Sequence, residues 1–533
     1  MARVYSDFIQ MRGGIDYEVA TIQAAPGSLA DCLNYEVSES GYQRVLGYER
    51  FDGQVSPSTI DLVYNVDGTI DDTAREAQRA LITAVPGSGP VRGAWVFNDD
   101  VYAFRDAVDG LSCKMYKASV TGWVEIALGA GITLAPGGKY RFVNYNFYAG
   151  SGSQMMYGCD GKNKAFQFDG TTFTQITTGM TVDAPGFIEA HAFHLFLGFA
   201  GGSLQHSAPG DPLDWNVVNG AGEIGVGDEI TGIKSSVGGT LSILMKDRLS
   251  ILYGTSSLDW QSQEVRSQQS SIGAIADTIQ NVATDTIFCD ANGITSLQAT
   301  NNFGDFTSSL LSNRIARYMR AAGRLTVGSC IVRQKSQYRI FIDRGEETEI
   351  IALAFGGQGT LGFSKQVLPV VLSCIASGEI SGQEAIFYGG SDGFLYKAET
   401  GESYDGLEIA AFIRSSFASQ RSPYQRKRYK RANISLQAQE LVDLRVKPEF
   451  SFANEDVASH SLRDISAIGG GGYWGSSLWG EFIWSAPEIG QGHVDITGTG
   501  TSIALVVYST SKHSKPHTIN SFNIDYIRRR IER

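Results

Sequence analysis

The chain has 533 residues, 62 of them Gly, or about 12% against a usual share of roughly 7%. Its net charge is −12, with 19% charged and 42% hydrophobic residues. This composition excludes a coiled coil or helical bundle, where Ala, Glu, Lys, Leu and Arg dominate. It also excludes a disordered polymer, which lacks the apolar surface to offset ordering entropy. A large, turn-rich, mainly β protein remains, long enough for roughly two to four domains.

Residues 1–53 read as an extended docking segment. Residues 54–90 form a polar insertion in which Thr73 to Ile82 is expected to be helical. From 91 to 400 the text is short alternating segments broken by Gly, Asp and Asn. Hairpins are expected with turns at Asn98-Asp99-Asp100, Asp169-Gly170, Lys246-Asp247-Arg248, Ala291-Asn292-Gly293 and Ser391-Asp392-Gly393. Asn-Gly and Asp-Gly tolerate the positive φ that tight hairpins need. At roughly 40–45 residues per unit this span holds about seven blades of a β-propeller. A pair of β-sandwiches is the competing arrangement. A helix is expected from Ser309 to Ala322, with Leu310, Leu311, Ile315, Tyr318 and Met319 on one face. Ser308 or Ser309 would cap its start and Gly323 its end.

From 401 to 533 the pattern is a sandwich-like β domain, with strands at 407–417, 432–438, 441–452 and 501–508. The charge is split between the two parts. Residues 1–400 hold 28 Lys and Arg against 42 Asp and Glu, a net of −14; residues 401–533 hold 16 against 14, a net of +2. The run Arg421 to Arg431 contains Arg426, Lys427, Arg428, Lys430 and Arg431, interleaved with Tyr424 and Tyr429. Such a run suits a nucleic-acid site. It equally suits a linking strand whose cations meet the acidic region or a neighbouring subunit, the reading preferred for an acidic chain. Four glycines at 469–472 lead into Trp474, Trp479 and Trp484, whose odd spacing argues for a loop pressed on a neighbour. The basic residues and the three tryptophans are the candidate subunit contacts, together with the 54–90 insertion.

Catalytic patterns fail on spacing. Gly138-Lys139 and Gly161-Lys162 lack the remaining residues of a phosphate loop, and no G-x-S-x-G elbow occurs. His191 and His194, read as one strand, would point to opposite faces, and Pro516 breaks the spacing of His513 and His517. The paired carboxylates sit at turns, where Asp serves the backbone. Six widely spaced cysteines in apolar surroundings read as buried free thiols, which suits a reducing compartment. No signal sequence and no apolar run of membrane length is evident, so synthesis in a cytoplasm without secretion is expected. Neither an enzyme, a cofactor nor a metal site is expected.

One resemblance spans most of the chain. Gly13-Gly14-Ile15, Pro26-Gly27-Ser28-Leu29, Asn34-Tyr35-Glu36, Gly41-Tyr42, Arg44 and Gly47-Tyr48-Glu49-Arg50 follow one another. This resembles the N-terminal signature of structural tail proteins of tailed bacteriophages, most similar to the tail-nozzle (tail tubular protein B) family of short-tailed phages. His206 to Trp215 is similar to that group's connector, Gly389 to Tyr396 to its last-blade turn, and Gly498 to Tyr526 to its C-terminal domain. The resemblance implies a virion tail protein, assembled in a bacterial host's cytoplasm as a homohexameric ring. The ring would meet the adaptor of the head-to-tail connector and tail fibre proteins, and continue the DNA ejection channel without binding the genome specifically. An acidic lumen would repel phosphates during ejection. The alternative is a cell-surface recognition propeller, lectin-like or receptor-binding.

Overall fold

In the computed structural model, seven four-stranded antiparallel sheets follow one another along residues 88–398. It describes all residues except 1–2, 22, 61–62, 65–69, 149–152, 237, 257, 265–272, 283–284, 300–305, 358, 439–440, 452–460, 469–488, 513 and 532–533. Blades one to six span 88–125, 141–175, 187–225, 230–264, 280–310 and 326–368. Blade seven takes three strands from 372–398, and its fourth is Tyr48–Phe51, with Tyr48 opposite Ala398 and Phe51 opposite Leu395. The first strand of each blade lies innermost, and Leu372–Ile380 of blade seven packs on Ser88–Phe97 of blade one, closing the ring. The fold is a β-propeller, seven-bladed by its sheets.

All five expected hairpins form. At Asn98 and Asp99, φ is 51° and 64°. Phe97 and Asp100 pair directly across this tight two-residue turn. The side chain of Asp169 accepts the backbone N–H groups of Thr171 and Thr172, so the carboxylate closes its own turn. Aromatic rings fill the spaces between sheets: Phe104 stacks on Tyr140 with centroids 4.1 Å apart, and Phe166 on Phe173 at 4.5 Å.

Two further sheets form a sandwich. One orders Tyr35–Val37, Tyr42–Arg44, His517–Ile531, Gln425–Ala438 and Ile489–Gly500, with Tyr5–Gln10 also against His517–Ile531. The other orders Leu29–Leu33, Ala410–Ser415, Ile503–Thr510, Leu441–Phe450 and Arg463–Ile468. Their apolar faces and the facing side of blades five and six share one core, which includes Ile434, Leu505, Tyr338 and Phe363.

Residues 1–53, read as an extended docking segment, supply four strands to the sandwich and a fifth to the propeller. Two expectations need correction. The 309–322 helix is shorter, because Phe306–Leu310 is the outer strand of blade five and Ser309 pairs with Ser296. Ser312 then accepts the Ile294 N–H, and only Ala316–Ala322 is α-helical. His191 and His194 do not share one strand; they face each other across a turn at Ala192 and Phe193, with φ of 46° and 60°. The insertion's helix forms as Thr73–Leu81, with none of its residues buried.

Candidate functional site

The residues of the N-terminal signature converge on the joint between propeller and sandwich. Gly14 and Gly27 have φ of 70° and 88°. A Cβ on Gly27 would lie 1.9 Å from the Gln10 carbonyl oxygen, so no other residue fits that close approach. The Tyr42 hydroxyl accepts the Gly14 N–H at 3.0 Å and donates to the Gly27 carbonyl at 2.9 Å. Asn34, at φ 54°, donates from Nδ2 to Ala410 O of the sandwich. Its Oδ1 accepts the Val367 N–H of blade six at 2.9 Å. The Tyr35 hydroxyl meets His517 Nε2 and Ser509 Oγ, each at 2.8 Å. The buried Arg44 donates to Ser514 O at 2.5 Å. Tyr48 stacks on Tyr404 at 5.1 Å, and Arg50 pairs with Asp405 at 2.6 Å.

At the centre of the joint four charges neutralise one another. Glu36 of the sandwich accepts from Lys335, from Arg339 Nη2 at 3.1 Å and from Gln337 Nε2 at 3.1 Å. Glu399, where blade seven ends, accepts from Arg339 Nη1 at 2.5 Å and Lys335 Nζ at 2.6 Å. Arg339 and Glu36 are 1% exposed, so each depends wholly on its partners. Burial alone would raise the Glu399 carboxyl, but the Arg339 and Lys335 charges outweigh it and hold it down at about 2. No pairing of these four residues is visible in the spacing of the sequence. The cluster's signal was Arg339 standing in the otherwise apolar run Tyr338 to Ile342, because a cation in such a run needs a buried anion.

On the propeller axis lies a cavity of about 390 Å³, lined by the inner strands. Arg141 of blade two reaches across to Asp277, ahead of blade five, with Nε–Oδ1 at 2.5 Å and Nη2–Oδ2 at 2.9 Å. Lys139 meets the same carboxylate at 2.7 Å and the Val327 carbonyl of blade six at 2.6 Å. Desolvation pushes the Asp277 carboxyl up, yet Arg141 and then Lys139 bring it below the usual range. Lys234 pairs with Glu189 at 2.9 Å. These cations are all engaged, and the pairs brace the ring from within. A volume of this size holds a small molecule, not a duplex whose major groove alone is about 12 Å wide.

The basic run lies on Gln425–Ala438, a strand between two others in the sandwich rather than a linker. Its side chains alternate. Arg426, Arg428 and Arg431 are exposed, Lys430 is half-buried and Lys427 is 0% exposed. Lys427 Nζ donates to the carbonyls of Thr501, Ser422 and Gln425 at 2.6, 2.7 and 3.1 Å. Burial, and then repulsion from Arg528, brings its ammonium down to about 8. Arg431 pairs with Asp495 at 3.1 Å, within the same domain. Trp474, Trp479 and Trp484 lie outside the described residues.

His194, His206 and Trp260 pack edge to face at one end of blades three and four, with ring centroids 4.1–5.5 Å apart. Burial brings His191 and His206 down to about 4. Among the described residues no three of His, Cys, Asp or Glu converge to hold a metal. His460 and His513 are outside that set. All six cysteines are buried and free, and burial pushes their thiols up, that of Cys32 to about 12. No described helix is long and apolar enough to cross a membrane.

No family model and no curated protein matches the chain. Among solved structures it is similar to streptogramin B lyase, with TM-score 0.38 and 11% identity, covering 60% of this chain and 95% of that one. It is also similar to YCF48 bound to D1 peptide, with TM-score 0.39 and 12% identity over 60% and 96%. The C-terminal WD40 domain of Sif2 gives TM-score 0.36 and 8% identity over 60% and 99%. At such identities the likeness concerns the propeller fold alone.

Proposed function

We propose that the chain is a non-catalytic structural protein of a phage tail, of the nozzle type. Its copies assemble into a ring, six by the resemblance, that continues the DNA channel and carries fibres. The observation that carries this reading is the joint. Among the residues that resemble the tail-protein signature, Gly14, Asn34 and Glu36 lock sandwich to propeller, against Phe363, Val367 and Arg339, while Gly27 and Arg44 fasten the sandwich side. A chain that fixes two domains through buried charge and close backbone contacts suits a load-carrying scaffold. The small, braced axial cavity means that a DNA conduit in this reading runs between copies, not through a propeller.

The test is to measure the mass of the purified chain with and without the other tail proteins, and to image tails labelled at the C-terminus. Six-fold rings, formed alone or by recruitment, are the expected result. A monomer or trimer that binds glycans would replace this reading with a recognition propeller. Turnover of a polysaccharide would overturn the non-catalytic part.

A further inference from the structure

Two surfaces of the chain carry opposite charge with no partner for it. The first is the end of the sandwich far from the joint. There Tyr5–Gln10, His517–Ile531 and Gln425–Ala438 lie side by side, and Tyr5, Tyr526 and Tyr429 are neighbours across the sheet. Arg3, Arg421, Arg428, Arg528 and Arg529 are all exposed here. Arg528 and Arg3 stand over the Tyr5 ring, 4.4 and 5.3 Å from its centre, and Tyr424 in the adjoining turn is 83% exposed. Among the described residues no carboxylate pairs with Arg3, Arg428, Arg528 or Arg529. The neighbouring anions are Asp7, half-buried and facing Arg421 and Lys427, and Asp525, which accepts from Ser6 across the sheet.

The second surface follows from propeller topology. In each blade the turns joining strands one to two and three to four emerge on the same side of the disc. On that side, the turns of blades one to four carry Asp99, Asp169, Asp211, Asp214 and Asp259 and not one Lys or Arg. The turns joining strands two and three, at the other ends, hold charges of both signs: Lys162, Lys164, Lys246 and Arg248 beside Asp109, Asp160 and Asp247. The five aspartates accept hydrogen bonds from their own or an adjacent turn, and no described cation forms an ion pair with them. Between them stand exposed apolar side chains: Leu258 at 96%, Val218 at 89% and Val217 at 75%. Exposed apolar side chains beside carboxylates without a cation are the make-up of an interface rather than of a surface left in water.

We propose that the arginine end of one copy's sandwich docks on the aspartate face of the next copy's propeller. This rests on the ring reading above and supplies its contact. The pairing is heterologous, since two different surfaces meet, and such contacts generate closed rings when the rotation per step divides the circle. Arginine is suited to the role because its planar fork binds carboxylates in bidentate fashion and stays charged.

The test uses the full-length chain and two charge-reversed variants, with self-association followed by sedimentation and mass photometry. One variant is Arg428→Glu/Arg528→Glu/Arg529→Glu, the other Asp211→Lys/Asp214→Lys/Asp259→Lys. Each alone is expected to weaken self-association by about tenfold or more. Wild-type assembly should weaken when salt rises from about 0.05 to about 0.5 M, because screening shortens. Mixing the two variants, or placing all six substitutions in one chain, should restore assembly, a rescue that misfolded variants would not give. If wild type assembles and both variants assemble equally well, the contact is wrong and the ring reading survives. If wild type neither assembles nor is recruited by tail proteins, both fall. If only the arginine variant loses assembly and the mixture is not rescued, the contact is again wrong. Tight, salt-sensitive binding of DNA by wild type would then assign the arginine end to phosphate.

Discussion

In blade one, Phe97 pairs with Asp100 and Tyr116 with Glu125. In the sandwich, Tyr5 pairs with Tyr526, Leu29 with Ser415 and Tyr42 with Ile519. The propeller gathers its sheets from neighbours in sequence, with one exception at Tyr48–Phe51. The sandwich gathers its sheets from both ends of the chain. Local pairing recovers loop-closure entropy quickly, whereas distant pairing must be held by contacts already in place. The difference shows why the joint is so heavily built. Glu36 and Asn34 sit where a long loop is closed, and their buried hydrogen bonds keep it closed.

The largest effect that could break this contrast is removal of residues 1–53. It strips four strands from the sandwich and one from blade seven, so loss of cooperative folding throughout the chain is expected by circular dichroism. A propeller that melted as in the full chain would show that the two regions are independent. Next comes Arg339→Met, which strands Glu36 and Glu399 beside a single cation. A loss of about 3–5 kcal/mol is expected in urea, with both regions unfolding together; separate transitions would show a joint weaker than described.

Acid sharpens the contrast. Burial depresses His517 in the sandwich to about 3 and His191 and His206 in the propeller to about 4. The unfolded chain binds protons below about 6.5 while the folded chain does not. The contribution of these neutral imidazoles is therefore complete above that pH and declines as pH falls towards each folded value. Trp260 fluorescence should follow the propeller's loss and hydrogen exchange at Ile519 the sandwich's. His517→Gln should flatten the second alone. The smallest effects are at glycines. Gly27→Ala is expected to cost at least about 2 kcal/mol, since strain and a backbone clash add. Gly110→Ala, at φ 67° with nothing near its Cβ, is expected to cost about 1 kcal/mol. Equal costs in thermal melts would mean that the joint relaxes as readily as a surface turn.

The propeller was legible because its turns declare themselves. Asn98-Asp99 and Asp169-Gly170 place residues that tolerate positive φ between apolar runs, and the hairpins stand where that chemistry puts them. The turn between His191 and His194 was missed because Ala192 and Phe193 adopt the same conformation without its usual residues. The 309–322 segment misled through helical spacing. Outer-strand pairing of Ser308 and Ser309 overrode the local pattern. The alternating burial of Gln425–Ala438 is visible in its spacing. That Lys427 would turn inward onto three carbonyls is not, because Thr501 and Ser422 reach it through the fold. The role of residues 1–53 was hidden for the same reason: partners hundreds of positions away leave no local mark.

The distance between Ser6 and its partner Asn523, 517 positions along the chain, has a meaning in time. At roughly 5–20 residues per second of synthesis, the opening strand waits on the order of half a minute to two minutes before its neighbour exists. During that wait Ile9 and Tyr35, both buried in the finished protein, have no sheet to cover them. A nascent chain of this design needs either a chaperone on that strand or polar residues within it that resist sticking. In the run from Arg3 to Gln10, the polar residues Arg3, Ser6, Asp7 and Gln10 separate the apolar pairs Val4-Tyr5 and Phe8-Ile9, and such interruptions oppose aggregation during that wait.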